Sequence, residues 1–287
     1  MRCAAILGLG TSPKLLEQFR AATQADWIEG VPASPAGADA VVIFGGDGTI
    51  HRHLGLLVPL ALPVLVVPAG SGNDFARALG IRSGADALHV WRDFTAGKQQ
   101  PRAIDLGVIS PLSSEGKQTY FCCVAGCGLD SPAARRANQM PRWLRSRGGY
   151  VLALLPTLAE FHAVRMRLTT CNGSEQETRE SATVLAAFAN GPFYGHGMEI
   201  APRADMGDGT LDICHVGQIN RLKLALMFPS VYIGRHLAMK EVDYWQAERV
   251  RVETDTPIEI YADGEYVCEA PAEITVARAA LQVIASM

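Results

Sequence analysis

The sequence lacks the standard motifs of several large protein classes. No G-x-x-x-x-G-K-[ST] segment occurs in the 287 residues, and "GLGTSP", "GSGNDF" and "GCGLDS" each lack the last glycine of G-x-G-x-x-G. The H-E-x-x-H motif of zinc proteases is also absent. These absences argue against a P-loop protein, a standard dinucleotide enzyme and a zinc protease of that type.

A strong overall charge and a long hydrophobic run are missing as well. The formal net charge of -3 gives no general case for nucleic acid as a partner. No apolar stretch reaches the roughly 20 residues needed to span a bilayer, since "YVLALLPTLAEF" is shorter and contains a proline and a glutamate. The hydrophobic content of 48% over 287 residues can nevertheless bury a sizeable core, and the length favours two domains.

The cysteines give no sign of a disulfide framework. There are seven of them, an odd number, and no C-x-x-C pair occurs. We therefore expect reduced cysteines, mostly buried, in a cytoplasmic protein.

The pattern of secondary-structure signals changes once along the chain. Up to about residue 98, short apolar runs alternate with helix-like segments, which predicts βα units on a parallel sheet. From "RAIDLGVIS" onward, longer apolar runs are mostly joined by turn residues, which predicts a mainly antiparallel β-sandwich with helical insertions near 131–161 and 219–238. The predicted domains are a Rossmann-like α/β domain over 1–100 and a β-rich domain over 101–277.

The segment "VVIFGGDGT", residues 41–49, joins a predicted strand to a predicted helix. Glycines at such a turn let the main chain approach a ligand, and the free N–H groups at the start of the helix suit an anion. Asp47 would repel a bare phosphate, so its presence favours a Mg²⁺ or a donor hydroxyl between the two.

A second glycine-rich turn occurs in "PAGSGNDFARALG", residues 68–80. It follows the next predicted strand and opens another helix, with Asn73 as the predicted N-cap. Because neighbouring parallel strands end at one edge of a sheet, the two turns together predict a ligand-binding crevice. Taken alone, "GSGN" is more typical of a tight loop and helix cap than of a ligand site, and its position beside "GGDGT" reverses that order.

These turns are followed in order by "RAIDLG", "GDGTLD" and "YADGE". The ordered set resembles the diacylglycerol kinase catalytic superfamily, and within it the soluble bacterial diacylglycerol and lipid kinases. The resemblance spans nearly the whole chain, and it implies the NAD-kinase-like fold, with a last strand, about 278–287, that returns to the first domain. It also implies a lipid kinase that uses ATP and Mg²⁺ and transfers the γ-phosphate of ATP to the hydroxyl of a lipid such as diacylglycerol.

The resemblance implies roles for individual residues. The residues that match the turns holding the nucleotide phosphates are Gly45, Gly46, Asp47, Gly48, Thr49, Ser71, Gly72 and Asn73. Asp74, Asp105 and Asp263 match acidic residues of the family's active site, with Asp263 as the general base for the lipid hydroxyl. Glu265 would share a strand face with Asp263 if that segment is extended. Each aspartate is also typical of a turn or cap, and that alternative stays open.

Metal binding is expected at two places. For "DMGDGTLD", the resemblance implies a structural Mg²⁺ site that uses the Asp208 carboxylate and the Asp205 carbonyl. Arg203 stands where some members have another acid, so a plain turn is the alternative there. Several carboxylates in one crevice would also repel each other without a divalent cation, which favours a catalytic Mg²⁺.

A basic and aromatic segment precedes the apolar stretch near residue 151. Its arginines surround Met140 and Trp143 and are Arg135, Arg136, Arg142, Arg145 and Arg147. This mixture suits an anionic membrane surface, and the apolar helix that follows suits the wall of an acyl-chain cleft; a solvated helix is the alternative. We therefore expect transient peripheral contact with the inner membrane face and no nucleic acid partner, and a homodimer is compatible with the sequence.

Two other functions stay open. An NAD-kinase-like enzyme acting on a soluble small molecule would share "GGDGT" but would not explain the later segments. A binding module that senses nucleotide or lipid without catalysis is the second, because "LGLGTSPK" lacks the asparagine that the family usually carries near the nucleotide.

Overall fold

A computed structural model describes residues 1–9, 11–113, 116–140, 156–158 and 160–286. The chain divides into two compact units, Met1–Asp105 with Arg278–Met287 and Leu106–Ala277. The first unit is α/β with a parallel sheet, and the second is a mainly antiparallel β-sandwich. The predicted fold class is confirmed.

The first unit alternates strands and helices around its sheet. Its elements are β1 (Arg2–Leu7), α1 (Pro13–Ala22), β2 (Asp26–Glu29), β3 (Ala40–Gly45), α2 (Asp47–Leu60), β4 (Val64–Pro68), α3 (Asp74–Ala78) and α4 (Gly84–Thr95). The strands follow the order β2-β1-β3-β4, and the end of the last strand of the chain pairs in parallel with β4 through Val283 and Val64.

The middle strands of this sheet are aliphatic because helices cover both of their faces. All six residues of β3 are buried, as are the first four of β4. Continuous apolar runs of this kind are typical of parallel strands. Phe44 near the end of β3 packs edge-on against Phe19 of α1, with ring centroids 5.1 Å apart. This contact holds α1 against β3 just before the glycine-rich turn that follows the strand.

The second unit contains most of the strands. Its elements are β5 (Arg102–Pro111, which begins in the first unit), β6 (Thr119–Phe121), β7 (Val124–Gly128), α5 (Asp130–Gln139), β8 (Val164–Asn172), β9 (Glu175–Ala189), β10 (Leu211–Gly217), α6 (Arg221–Met227), β11 (Val242–Ala247), β12 (Arg249–Thr254), β13 (Glu259–Ala262), β14 (Glu265–Glu269) and β15 (Ala272–Val283, which ends in the first unit). Two 3₁₀ helices, Phe228–Ile233 and Arg235–Ala238, follow α6.

One antiparallel path, β14-β13-β7-β9-β8-β12-β15, organises this unit, and β10 lies between β9 and β11. Its core is a cluster of fully buried side chains contributed by alternating positions of these strands. Members of the cluster include Phe121, Phe188, Ile213, Val250 and Ile274.

Several predicted segments have different limits in the structure. "TYFCCVAGCG" forms two strands with a break at Cys122 and Cys123, and "AEITVA" and "LQVIA" belong to the single strand β15. The predicted insertion at 219–238 contains α6 and the two 3₁₀ helices. The predicted insertion at 131–161 contains α5, but 141–155 lie outside the described residues.

The predicted basic surface is therefore only partly visible. Arg142, Trp143, Arg145 and Arg147 lie outside the described residues. Arg135 forms a salt bridge of 3.2 Å with Glu259, and Arg136 contacts Glu160 and donates a hydrogen bond of 2.9 Å to Thr157. Both described arginines are thus paired within the protein. No helix of the described part of the chain is long and apolar enough to cross a membrane.

All seven cysteines are free thiols, and only Cys171 is not fully buried. Burial raises the pKa of Cys3 and Cys268 to about 11 and that of Cys214 to about 12, so these thiols stay protonated at neutral pH.

Candidate active site

The two glycine-rich turns lie side by side because the strands before them are neighbours. Gly45 at the end of β3 pairs with Pro68 at the end of β4. A Cβ on Gly46 would lie 2.5 Å from the carbonyl oxygen of Gly72 and 2.8 Å from the Cα of Gly70. Gly46 and Gly70 therefore allow the two backbones to touch, whereas the sequence had suggested only that the glycines make room for a ligand.

Asp47 ties the second turn to the first. Its Oδ2 accepts a hydrogen bond of 3.1 Å from the N–H of Asp74, and its Oδ1 accepts one of 3.1 Å from the N–H of Phe75. These are N–H groups at the start of α3, which have no partner within their own helix. Asp47 therefore has a structural role in addition to any role in ligand binding, because it caps the helix that follows the neighbouring turn.

Asn73 stands at the N-cap position of α3, but its side chain does not cap that helix. Instead its Oδ1 accepts from the N–H of Gly70 at 3.0 Å, and its Nδ2 donates to the Gly70 carbonyl at 3.1 Å. The predicted N-cap position is confirmed, but Asp47 accepts the capping hydrogen bonds, and the Asn73 side chain closes its own turn.

The eight predicted nucleotide residues lie in these two adjacent turns, at the end of β3 or in the first three positions of α2. Ser71 is exposed, whereas Thr49 is buried against the first turn, where a Cβ on Gly8 would lie 2.7 Å from its hydroxyl oxygen. Thr11 also belongs here, because its hydroxyl donates to the carbonyl of Phe44 at 2.8 Å. Thr11 could not be identified from the sequence, since "GLGTSP" fits no standard motif.

The two acidic residues of the first unit that the resemblance assigned to the active site, Asp74 and Asp105, are both buried. Asp74 begins α3, and its carboxylate lies 3.7 Å from the guanidinium of Arg77. Asp105 on β5 accepts a hydrogen bond of 2.6 Å from the N–H of Ala279, whose backbone has a φ of 51°. Asp105 therefore stabilises the left-handed backbone conformation of Ala279, an irregular point of β15. The sequence analysis had left such a structural role open as the alternative.

Asp263 lies in the turn between β13 and β14, with a φ of 49° that asparagine and aspartate tolerate better than most residues. Its Oδ2 accepts from the N–H of Cys122 at 2.8 Å, and its Oδ1 from those of Cys123 at 2.9 Å and Val124 at 3.4 Å. Three successive backbone amides thus converge on one carboxylate, at the break between β6 and β7.

The predicted placement of Glu265 is wrong. Asp263 and Gly264 form the turn itself, and Glu265 pairs with Ala262 as the first residue of the returning strand. Because the chain reverses between them, the two carboxylates do not share a strand face.

The loop "DMGDGTLD" is closed by its own hydrogen bonds. Asp208 accepts from the N–H and the hydroxyl of Thr210 at 2.9 and 2.8 Å, and from the side chain of Gln246 at 3.0 Å. The Asp205 carboxylate accepts from the N–H of Gly207 at 3.0 Å. These contacts describe a turn with satisfied carboxylates.

The described residues contain no group of three or more histidine, cysteine, aspartate or glutamate side chains that could hold a metal ion. The expected loop site uses one carboxylate, that of Asp208, and one backbone carbonyl, that of Asp205, so it is not such a group and stays a prediction. The argument from mutual repulsion weakens, because Asp47, Asp105 and Asp263 are each stabilised by backbone N–H groups. The catalytic Mg²⁺ therefore stays a prediction as well.

A narrow, mostly apolar pocket lies within the second unit. Ten of its thirteen lining residues are apolar, and among them are Leu185, Ile200, Val216 and Leu224. The three polar lining residues are Asp130, Tyr194 and His236.

The polar residues of the pocket were missed by the sequence analysis. Asp130 begins α5 and accepts a hydrogen bond of 3.2 Å from the hydroxyl of Tyr194. A Cβ on Gly126 would collide with its carboxylate, so the glycine makes room for it. Asp130 could have been found from the segment "GCGLDS", because its glycines and aspartate join a strand to a helix as those of "GGDGT" do. His236 is fully buried, and its Nε2 donates to the carbonyl of Ile200 at 3.1 Å.

The fold is that of the diacylglycerol kinases and NAD kinases. A solved structure of a diacylglycerol kinase from Bacillus anthracis superposes with a TM-score of 0.70 at 18% identity, covering 99% of this chain and 97% of that one. Yeast NADH kinase complexed with NADH gives a TM-score of 0.55 at 9% identity, covering 99% and 82%. At these identities, the likeness establishes the fold.

Sequence comparison establishes the family. The model of the diacylglycerol kinase catalytic domain matches residues 14–109, and that of the YegS C-terminal NAD kinase beta sandwich-like domain matches 123–285. A diacylglycerol kinase of Mycobacterium tuberculosis is 37% identical over 254 residues, which cover 86% of this chain and 77% of the relative. One from Bacillus subtilis is 27% identical over 237 residues, covering 82% and 74%. The chain belongs to the family of bacterial diacylglycerol kinases and YegS-like lipid kinases, as the resemblance implied.

Proposed function

We propose that this protein transfers the γ-phosphate of Mg-ATP to the hydroxyl of a diacylglycerol or a closely related lipid alcohol. The observation that carries the lipid acceptor is the apolar pocket in the second unit, because a soluble nucleotide acceptor has no use for a lining of leucine, isoleucine, valine and methionine. Family membership supports kinase chemistry, and the relatives named diacylglycerol kinase support the acceptor class.

In this proposal, the two glycine-rich turns bind the phosphates. Their backbones run close together, and α2 starts directly after Gly46, so its first N–H groups and its dipole favour an anion there. A Mg²⁺ bound to the nucleotide would neutralise part of the charge of its phosphates. Asp47 serves mainly to hold α3 and the second turn in place.

Asp263 is the proposed proton acceptor. The amides of Cys123 and Val124 donate to its Oδ1, and that of Cys122 donates to its Oδ2. These three amide bonds fix the orientation of the carboxylate, which a general base requires. Asp74, Asp105 and Glu265 are the alternatives for this role; Asp105 is the weakest because Ala279 already occupies its Oδ1.

The pocket is the proposed site of one acyl chain. Its polar pair, Asp130 and Tyr194, places a carboxylate and a hydroxyl beside an otherwise apolar lining. An acyl chain would occupy the apolar part, and the polar pair would lie near the ester or hydroxyl end of the lipid.

The test is a transfer assay with labelled ATP and a panel of acceptors. The panel contains dioctanoylglycerol, dioleoylglycerol, sphingosine, ceramide and NAD. We expect label in phosphatidic acid and none in phosphorylated NAD. Label on NAD alone would establish the NAD-kinase-like alternative, and ATP binding without transfer to any acceptor would establish a binding module.

A variant links the activity to the pocket. Val231 lines the pocket and is buried, so Val231→Phe narrows it. We expect the ratio of kcat/KM for dioleoylglycerol over dioctanoylglycerol to fall about tenfold, with the KM for ATP as the internal control. An unchanged ratio in a folded variant would contradict the assignment of the acyl chain to this pocket.

A further inference from the structure

The segment from α6 through the two 3₁₀ helices is apolar on two sides. Leu224 and Met227 are buried and line the pocket. On the other side of α6, Leu222 is 70% exposed and Leu226 is 73% exposed, and Ile233 in the following 3₁₀ helix is 60% exposed. Leu222 and Leu226 are four residues apart and therefore share one face of the helix. A surface helix of a globular protein normally has polar residues there.

The charges of this segment all have one sign. From residue 217 to residue 240 the sequence contains no aspartate or glutamate, whereas it contains Arg221, Lys223, Arg235 and Lys240. Lys223 forms a salt bridge with Glu241 at 2.7 Å. The other three form no salt bridge with a carboxylate of the described residues and are exposed. In a chain with a net charge of -3, this is a local cationic patch around exposed leucines.

We infer that this segment is the surface by which the protein docks on an anionic lipid bilayer, with Leu222, Leu226 and Ile233 inserted among the headgroups. Among the described residues, Arg221 hydrogen-bonds only to neutral groups, the carbonyl of Phe161 and the ring of His162. Exposed aliphatic side chains flanked by lysine and arginine that lack a carboxylate partner suit a negatively charged lipid interface, where burial of the aliphatic groups and attraction of the cations both contribute to binding. The surface differs from the predicted one at 135–147, whose described arginines are paired with carboxylates.

The inference rests on the proposed function and adds the route of the substrate. One short helix presents leucines to the outside and walls the acyl-chain pocket on the inside. A lipid that leaves the bilayer beside α6 is separated from the pocket by that one helix. Docking and substrate capture are therefore assigned to the two faces of one element.

The test measures vesicle binding without nucleotide. The full chain is sedimented with vesicles of phosphatidylcholine alone and of phosphatidylcholine with phosphatidylglycerol. We expect binding to the anionic vesicles, and binding about 10- to 100-fold weaker for the double variant Leu222→Gln and Leu226→Gln. Leu56→Gln is the matched control, since Leu56 is 55% exposed on α2 of the other unit and should leave binding unchanged.

Phosphorylation of dispersed dioctanoylglycerol provides an independent readout. We expect the double variant to retain it within about twofold, because neither leucine lines the pocket, while phosphorylation of dioleoylglycerol in vesicles falls with vesicle binding. If the parent transfers phosphate to no acceptor, the proposed function is wrong, but the vesicle-binding measurement still tests the docking surface. Equal vesicle binding by parent and double variant, or no binding by the parent, would overturn the docking surface. A parent dimer that the double variant dissociates, with vesicle binding unchanged, would assign the patch to a subunit contact instead.

Discussion

Replacing Asp263 with asparagine should have two separable effects, one on stability and one on chemistry. The asparagine can keep the left-handed turn, and its Oδ1 can still accept from Cys123 and Val124. Its Nδ2, however, would face the N–H of Cys122, which now donates to Oδ2 at 2.8 Å. The sequence alone suggested a substitution that keeps most turn hydrogen bonds, but the structure shows that one of three is lost and the charge assistance of the others is removed.

The expected cost of Asp263→Asn is about 1–3 kcal/mol of unfolding free energy, because one amide loses its acceptor. This is less than the total stability of a typical domain, so the variant should fold. If Asp263 is the base, turnover of diacylglycerol should fall by roughly 10² to 10⁴, while the affinity for Mg-ATP changes only a few-fold.

Urea unfolding and steady-state kinetics on the same preparation separate the two effects. Asp86→Asn is the matched control, because the Asp86 carboxylate also accepts a backbone N–H, that of Arg82 at 3.0 Å, at the start of α4 in the other unit. Turnover within about threefold of the parent in a folded Asp263→Asn variant would refute the base assignment. An unfolding midpoint equal to the parent's would refute the stabilising role of the amide contacts.

Asp47→Ala should lower the unfolding free energy by about 1–3 kcal/mol and weaken ATP use, because the N–H groups of Asp74 and Phe75 lose their acceptor; a urea midpoint equal to the parent's would contradict this role. Stability should also fall as the pH drops below 6.5, since burial lowers the pKa of His215 and His236 and the unfolded chain binds protons first. Urea midpoints at pH 7.5, 6.5 and 5.5 measure this slope, and His215→Asn with His236→Leu should flatten it; an equal slope in that variant would assign the effect to other groups.

The sequence predicted the first unit well because its central strands are buried on both faces. The aliphatic runs of β3 and β4 are continuous, and such runs are hard to mistake. The strand β2, "DWIE", was missed because it lies at the sheet edge, where two charged residues flank a half-buried tryptophan.

The first half of β9 was missed for a related reason. "EQETRES" reads as a polar loop, yet it pairs residue by residue with β8. Contacts across the two strands support it, since Glu180 binds both Arg165 and Arg167, and Thr169 and Thr178 share a hydrogen bond of 3.2 Å. A strand exposed on both faces has no hydrophobic alternation for a sequence pattern to detect.

The sequence predicted which residues belong to the candidate site but not which residues they contact. Glycine spacing located both phosphate turns, and the ordered motifs located Asp263. The partners of these side chains come from distant parts of the chain: Asp263 and Cys122 are 141 residues apart, and Asp47 and Phe75 are 28 apart. Pairings of that kind depend on how the strands are arranged, which local patterns do not encode.

Strand β15 has a consequence for the order in which the protein is made. Its last residues complete the sheet that the first residues begin: Val283 pairs with Val64, Ser286 donates to the carbonyl of Leu79, and Gln99 donates to that of Ala285. During synthesis, the edge of β4 stays uncovered until residues 278–286 leave the ribosome. The unit that is translated first is therefore finished last, so we expect a nascent chain stalled before residue 278 to carry an open, aggregation-prone sheet edge.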